Sequence, residues 1–170
     1  MVGAVIFGVM LSTLHQSSLG AVFPIAPSKM SPLWWDTKLP FHFLVSAVAM
    51  GLAMVSFETM LSKKFLHHEV DDEIFFGLAR GLLIVLSFYL LLKLYQLFTV
   101  ASPAMAVDGS VEGNMYLLEM VVGVILPIVL PSMKKIRANV NALFAVNMVV
   151  IVGVLLNRMN VCLFSMEQYN

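Results

Sequence analysis

"FLVSAVAMGLAMVSFETMLS", residues 43–62, is an apolar run whose one charge is Glu58. A bilayer core needs roughly 20 helical residues to cross it. This run meets that length with almost no polar surface, so it reads as a membrane-spanning helix. Four more segments read the same way, which places spans at about 2–26, 41–62, 74–98, 114–132 and 138–158. The expected fold is an all-α integral membrane bundle of five transmembrane helices, one domain over residues 1–170.

Composition agrees with that reading. The chain is 60% hydrophobic and 12% charged, whereas a soluble domain is about half apolar and about a quarter charged. Ten Lys and Arg balance ten Asp and Glu, so there is no general basic surface and no nucleic-acid partner is expected. The single cysteine, Cys162, excludes an internal disulfide and any multi-cysteine zinc or iron–sulfur site. Thirteen methionines suit adaptable helix packing. No basic region precedes the first apolar stretch, so that stretch is expected to span rather than to be cleaved as a signal peptide. Pro24 and Pro27 end the first span, Pro40 precedes the second, Pro127 lies in the fourth and Pro131 closes it. Spanning helices tolerate such prolines where neighbours satisfy the freed backbone groups.

The connections carry the charge. "SKKFLHHEVDDE" (62–73) and "MKKIR" (133–137) hold five of the ten basic residues, against Lys29, Lys38 and Arg158 at the other ends. By the positive-inside rule those two loops face the cytoplasm, the N-terminus starts inside and the C-terminus ends outside. Trp34 and Trp35 then fall where an aromatic belt marks the outer interface. His67 and His68, among Glu69, Asp71, Asp72 and Glu73, read as a solvated charged loop rather than a metal site.

Ionisable residues inside a span are functional candidates because each is expensive to keep there. His15, Glu58, Arg80, Lys93 and Glu119 qualify. At about 1.5 Å per residue, Glu58 and Arg80 lie about 6 and 9 Å from the cytoplasmic ends of their helices. Lys93 and Glu119 each lie about 7 Å from the outer ends. Matched depth predicts two ion pairs, Glu58–Arg80 and Lys93–Glu119. Either these four residues transfer protons or they hold helices together, with Lys93 also able to snorkel. Ser56 and Thr59 in "AMVSFETM" (53–60) give Glu58 a polar path towards the cytoplasm.

"LSTLHQSSLG" (11–20) gathers Ser12, Thr13, His15, Gln16, Ser17 and Ser18 inside a span. Residues three and four apart share a helix face, so the stretch is a polar seam or a site. A quinone needs a donor for each carbonyl oxygen and an apolar slot for its ring. His15 or Gln16, with Ser12 beside them, could donate, while Trp35 and Phe23 could line the slot. His42, in the first turn of the second span, is near the same outer surface and joins the quinone set, its other reading being an interfacial histidine. No catalytic or metal-ligating residue is expected. The chain has no Gly-rich phosphate loop, HExxH, CxxC or GxSxG, and four histidines are too few for a membrane di-iron oxidase.

At "LSTLHQSSLGAVFPIAPSKMSPLWW" (11–35) the sequence resembles the NrfD/PsrC family of quinone-interacting membrane subunits, nearest the branch with HybB of membrane-bound hydrogenases and DsrP and HmcC of sulfate reducers. "FLVSAVAMGLAMVSFETMLS" (43–62) resembles the next helix of that branch and "LLNRMNV" (155–161) a late helix end. The resemblance implies a non-catalytic subunit in the cytoplasmic (inner) membrane of a prokaryote, with no covalently bound cofactor. It would pass electrons between a ferredoxin-like iron–sulfur subunit, itself joined to a catalytic module, and menaquinone or ubiquinone, with proton transfer alongside. It also implies a quinone pocket near the outer surface, carried over to His15 and its neighbours. Relatives have eight to ten helices against five here, so the chain is expected to be part of a longer or split subunit. Two rivals remain. One is a haem b anchor with His15 and His42 as axial ligands. The other is half of a secondary transporter, whose expected repeat symmetry is missing.

Overall fold

The computed structural model describes residues 2–25, 29–65, 72–133, 136 and 139–165. Helix α1 covers Val2–Val22 and runs into a 3-10 turn over Phe23–Ile25. Helices α2 and α3 cover Leu39–Phe65 and Asp72–Thr99. A single turn, α4 (Pro103–Ala106), precedes α5 (Val111–Met120). A π-helical turn at Val121–Ile125 joins α5 to α6 (Leu126–Ser132) as one rod, and α7 covers Val140–Cys162. There is no strand among the described residues. Five rods are long and apolar enough to cross a bilayer: Val2–Ile25, Leu39–Lys63, Glu73–Thr99, Val111–Ser132 and Asn141–Cys162. The chain is an all-α, multi-pass membrane protein.

All five expected spans are present, and local chemistry explains how their ends differ. Helix α2 starts at Leu39 because the Asp36 carboxylate accepts from the Lys38 N–H at 3.0 Å. Pro40 falls in its first turn, where a missing N–H costs nothing. Helix α7 starts behind Asn139, whose side chain accepts from the Asn141 N–H. It continues to Cys162 rather than stopping at 158, so Arg158 lies inside the helix. The end of the first expected span at residue 26, the 66–71 loop with His67 and His68, and residues 134, 135 and 137 lie outside the described residues. The cytoplasmic placement of those loops lies outside them too.

The connectivity puts the ends of α1, α3 and α7 and the starts of α2 and α5 at one end of the bundle, called here the Trp34 end. Helix α2 is central, packing on α1, α3 and α7, and α7 packs on the π turn and α6. One apolar cluster plugs the Trp34 end with Met30, Leu33, Trp34, Phe43, Tyr89, Tyr116 and Val161. A second fills the middle with Ala49, Ala53, Leu82, Leu86, Val150 and Val154. Helix α1 stands at the side, where Gly20 is its one buried residue among those described. A Cβ on Gly20 would sit 2.7 Å from the Pro40 Cα, so the close approach of α1 to α2 needs a glycine there. Exposed α1 residues, uncovered by the rest of the described chain, include Phe7, Met10, Leu11 and Leu14.

The π turn has a covalent cause. Pro127 has no N–H to offer the Gly123 carbonyl, and one residue earlier the Leu126 N–H bonds to Val121 O, five residues back. The wider turn absorbs the broken ladder. On it, Gly123 crosses Gly153 of α7 with backbone against backbone. A Cβ on Gly123 would lie 3.2 Å from the Gly153 Cα, and one on Gly153 would overlap the Gly123 Cα. Small residues at such crossings let spanning helices approach closely.

Candidate functional site

Glu119 is the centre of the Trp34 end and is 1% exposed. Its Oε1 accepts from Lys93 Nζ at 2.8 Å and Asn157 Nδ2 at 2.7 Å. Its Oε2 accepts from Trp34 Nε1 and Asn160 Nδ2, both at 3.0 Å. Four donors on two oxygens use the acceptor capacity of a carboxylate. A buried ion pair is tolerated when the remaining lone pairs are satisfied in this way. Lys93 Nζ also lies 5.4 Å from the Tyr116 ring centre and 6.0 Å from that of Tyr89. The loop that brings Trp34 in is pinned independently. The Ser31 N–H donates to Ser165 O at 2.9 Å, and Gln96 Nε2 donates to Leu33 O at 3.2 Å.

Beside this saturated centre lies an unsaturated rim. His42 is buried with its ring edge-to-face on Tyr89 at 6.1 Å, and its Nε2 is 3.6 Å from Asp36 Oδ2, beyond hydrogen-bond reach. Both His42 nitrogens, Asp36 Oδ2, Trp35 Nε1, Tyr116 OH and Gln96 Oε1 are buried without a hydrogen-bond partner among the described residues. Buried polar atoms are paired in the great majority of cases, so this concentration at one end is unusual. Towards the middle, a cavity of about 10 Å³ lies among Ser46, Tyr89, Glu119 and Asn157. That is close to the smallest space that holds one water.

A third region lies between α1 and α2. A groove of about 280 Å³ is lined by Ser12, Thr13 and Gln16 on α1 and by Ala47, Val48 and Gly51 on α2. Behind it, Arg158 Nη2 donates to Phe43 O and Ser46 Oγ, both at 3.0 Å, and to Gln16 Oε1 at 3.5 Å. The guanidinium carbon sits 3.5 Å from the Phe43 ring centre, a stacked cation–π contact.

The structure distributes the expected residues unevenly. Lys93 and Glu119 form their predicted pair. Glu58 and Arg80 do not, because both are exposed and make no ion pair with each other. Glu58 lines an open depression with Leu61, Ser62 and Phe65. Ser56 and Thr59 bond their hydroxyls to Leu52 O and Val55 O instead of forming a path. Of the expected quinone set, Ser12 and Gln16 reach the groove, while His42 and half-buried Trp35 belong to the rim. His15 is exposed on α1. His42, its partner in the haem reading, is buried. The hydroxyls of "LSTLHQSSLG" are partly spent on their own helix, Thr13 on Val9 O and Met10 O, Ser18 on His15 O.

Sequence reasoning missed Trp34, Asn157, Arg158 and Asn160. Trp34 is not in an interfacial belt but is 1% exposed, its ring edge-to-face on Tyr116 at 5.9 Å. Three polar residues in "LLNRMNV" (155–161) were the available signal. Asn157 and Asn160, three apart, share a face.

The model of the family described as "Polysulphide reductase, NrfD" matches residues 2–166. A protein of Nitratidesulfovibrio vulgaris (strain Hildenborough) is 38% identical over 167 residues, covering 94% of this chain and 42% of its own length. The probable Ni/Fe-hydrogenase 2 b-type cytochrome subunit of Escherichia coli K12 is 29% identical over 140 residues, covering 81% of this chain and 36% of its own. The chain thus spans about two-fifths of the curated relatives it matches. No solved structure matches it.

Proposed function

The chain belongs to the NrfD family, and on that premise we propose that it is part of a membrane subunit of a respiratory redox complex. In this reading it exchanges electrons between an iron–sulfur partner and the quinone pool of a prokaryotic inner membrane, within an assembly that carries a separate catalytic module. The hydrogenase subunit among its relatives supports the complex. The groove between α1 and α2 carries the quinone assignment. It is apolar along α2, as a ring and its tail require, and along α1 it sets Ser12, Thr13 and Gln16 beside Val9. Ligand sites combine such apolar walls with a few placed polar groups.

Gln16 is the headgroup donor that this reading favours. Its carboxamide oxygen faces Arg158, while its Nε2 has no partner among the described residues. Ser12 and His15, on the same helix, are the further candidates for the second carbonyl. Glu58, on its open depression, is the residue left to exchange protons at the Phe65 end.

The test is equilibrium binding of a quinone analogue to membranes that contain the assembled complex. Gln16→Ala removes a hydrogen bond worth about 0.5–1.5 kcal/mol, so affinity should fall several-fold. Gly51→Leu should fall further. A Cβ there meets nothing within 4 Å, so a larger side chain can extend into the groove that Gly51 lines and occupy its space. Unchanged affinity in both variants, with the complex assembled, would refute the groove as the site. His15→Ala alone reports whether that imidazole contributes.

A further inference from the structure

Two cations are held in the spans at the Trp34 end, and they are treated differently. Lys93 has a carboxylate at 2.8 Å. Arg158 has three neutral oxygens and no described carboxylate within ion-pair distance. Its Nη1 is buried with no hydrogen-bond partner among the described residues. An uncompensated charge in a spanning segment is costly, and the two-pronged guanidinium is suited to a second oxygen ligand. Both facts call for an electron-rich oxygen at Arg158.

Gln16 connects that cation to the groove. It lines the groove, and its Oε1 accepts from Arg158 at 3.5 Å, the longest of the three contacts. The other two, to Phe43 O and Ser46 Oγ at 3.0 Å, hold the guanidinium on α2 whichever way Gln16 turns. A carboxamide held by one long bond can rotate to expose the cation to a ligand.

We propose that Arg158 is a ligand-binding residue of the α1–α2 groove, where its guanidinium takes an anionic or electron-rich oxygen of a quinone-type headgroup after Gln16 rotates aside. This rests on the groove being the quinone site. Its specific content is a preference for negative charge on the headgroup oxygen. Charge-assisted hydrogen bonds are roughly twice as strong as neutral ones.

The experiment compares two probes on membranes containing the complex: an alkylated hydroxynaphthoquinone, ionised at neutral pH, and its neutral methoxy counterpart. The unmodified protein should bind the ionised probe about tenfold more tightly, a difference of about 1.4 kcal/mol. Arg158→Gln should abolish the preference and Arg158→Lys should keep part of it. If Arg158→Gln does not accumulate, Gln16→Glu serves instead. It sets a carboxylate against the guanidinium and should weaken the ionised probe more than the methoxy probe. Equal binding of the two probes by the unmodified protein, or equal losses in Gln16→Glu, overturns the role of Arg158 while leaving the groove reading standing. Binding of neither probe overturns both.

Discussion

At the Trp34 end, Lys93 and Glu119 meet at 2.8 Å inside the bundle. Towards the Phe65 end, Glu58 and Arg80 also sit on neighbouring spans at similar heights, yet both are exposed and they do not pair. Height therefore decided neither outcome. The angle around the helix decided both. The buried face of α2 runs through His42, Ser46, Ala49, Ala53 and Ser56. Glu58 is two residues beyond that face, about 200° around at 3.6 residues per turn. On α3 the buried stripe is Leu82, Leu86, Tyr89, Lys93 and Gln96, with Lys93 a full member and Arg80 outside it. A charge on the core stripe must bring its partner with it. A charge off the stripe is left to lipid, headgroups or another subunit.

The largest effect should come from breaking the buried pair. Glu119→Leu strands the Lys93 ammonium and leaves Trp34 Nε1 and Asn157 Nδ2 without their acceptor, with an expected cost of about 3–5 kcal/mol. Thermal unfolding of the purified complex, or its yield where it no longer assembles, measures this. The double variant Lys93→Met/Glu119→Leu should recover much of the loss, and purely additive losses would break the contrast between the two ends. Next in size is Trp34→Phe, which keeps an aromatic ring against Tyr116 but deletes the donor to Glu119. A hydrogen bond to a charged group contributes about 1.5–3 kcal/mol, so an unchanged unfolding midpoint would show that the indole N–H is dispensable. Smallest should be Glu58→Gln and Arg80→Gln, each within about 0.5 kcal/mol. The pair should add within about 0.3–0.5 kcal/mol. A coupling well above that would mean the two charges do meet.

Length and apolarity made all five spans legible, because the bilayer imposes both directly on the sequence. Charge depth made the Lys93–Glu119 pair legible as well. What depth could not supply was the angular position of each residue, and so Glu58–Arg80 was expected and is absent. Nor could it supply the loop. Trp34 looked interfacial because a tryptophan beside a span commonly is, and only the pinning of Ser31 to Ser165 and Leu33 to Gln96 turns its ring inward. Helix α7 proved longer than its apolar run suggested because Asn157, Arg158 and Asn160 are polar residues that face partners. Their polarity imitated a helix end.

The Gly123–Gly153 crossing gives this polar end its gauge. Where two antiparallel helices touch at one point, residues equally far from it, one before and one after, come level. Glu119 is four residues before Gly123 and Asn157 four after Gly153, one helical turn each, and they bond at 2.7 Å. One turn further out, Tyr116 and Asn160 are level in turn, and Asn160 Nδ2 reaches Met115 O at 3.2 Å. The crossing works like the rivet of a pair of calipers, with its closed jaws on the carboxylate. A methyl group added at Gly153 would force the rivet apart, and the displacement would be read a turn away as a longer Glu119–Asn157 bond, with no polar residue altered.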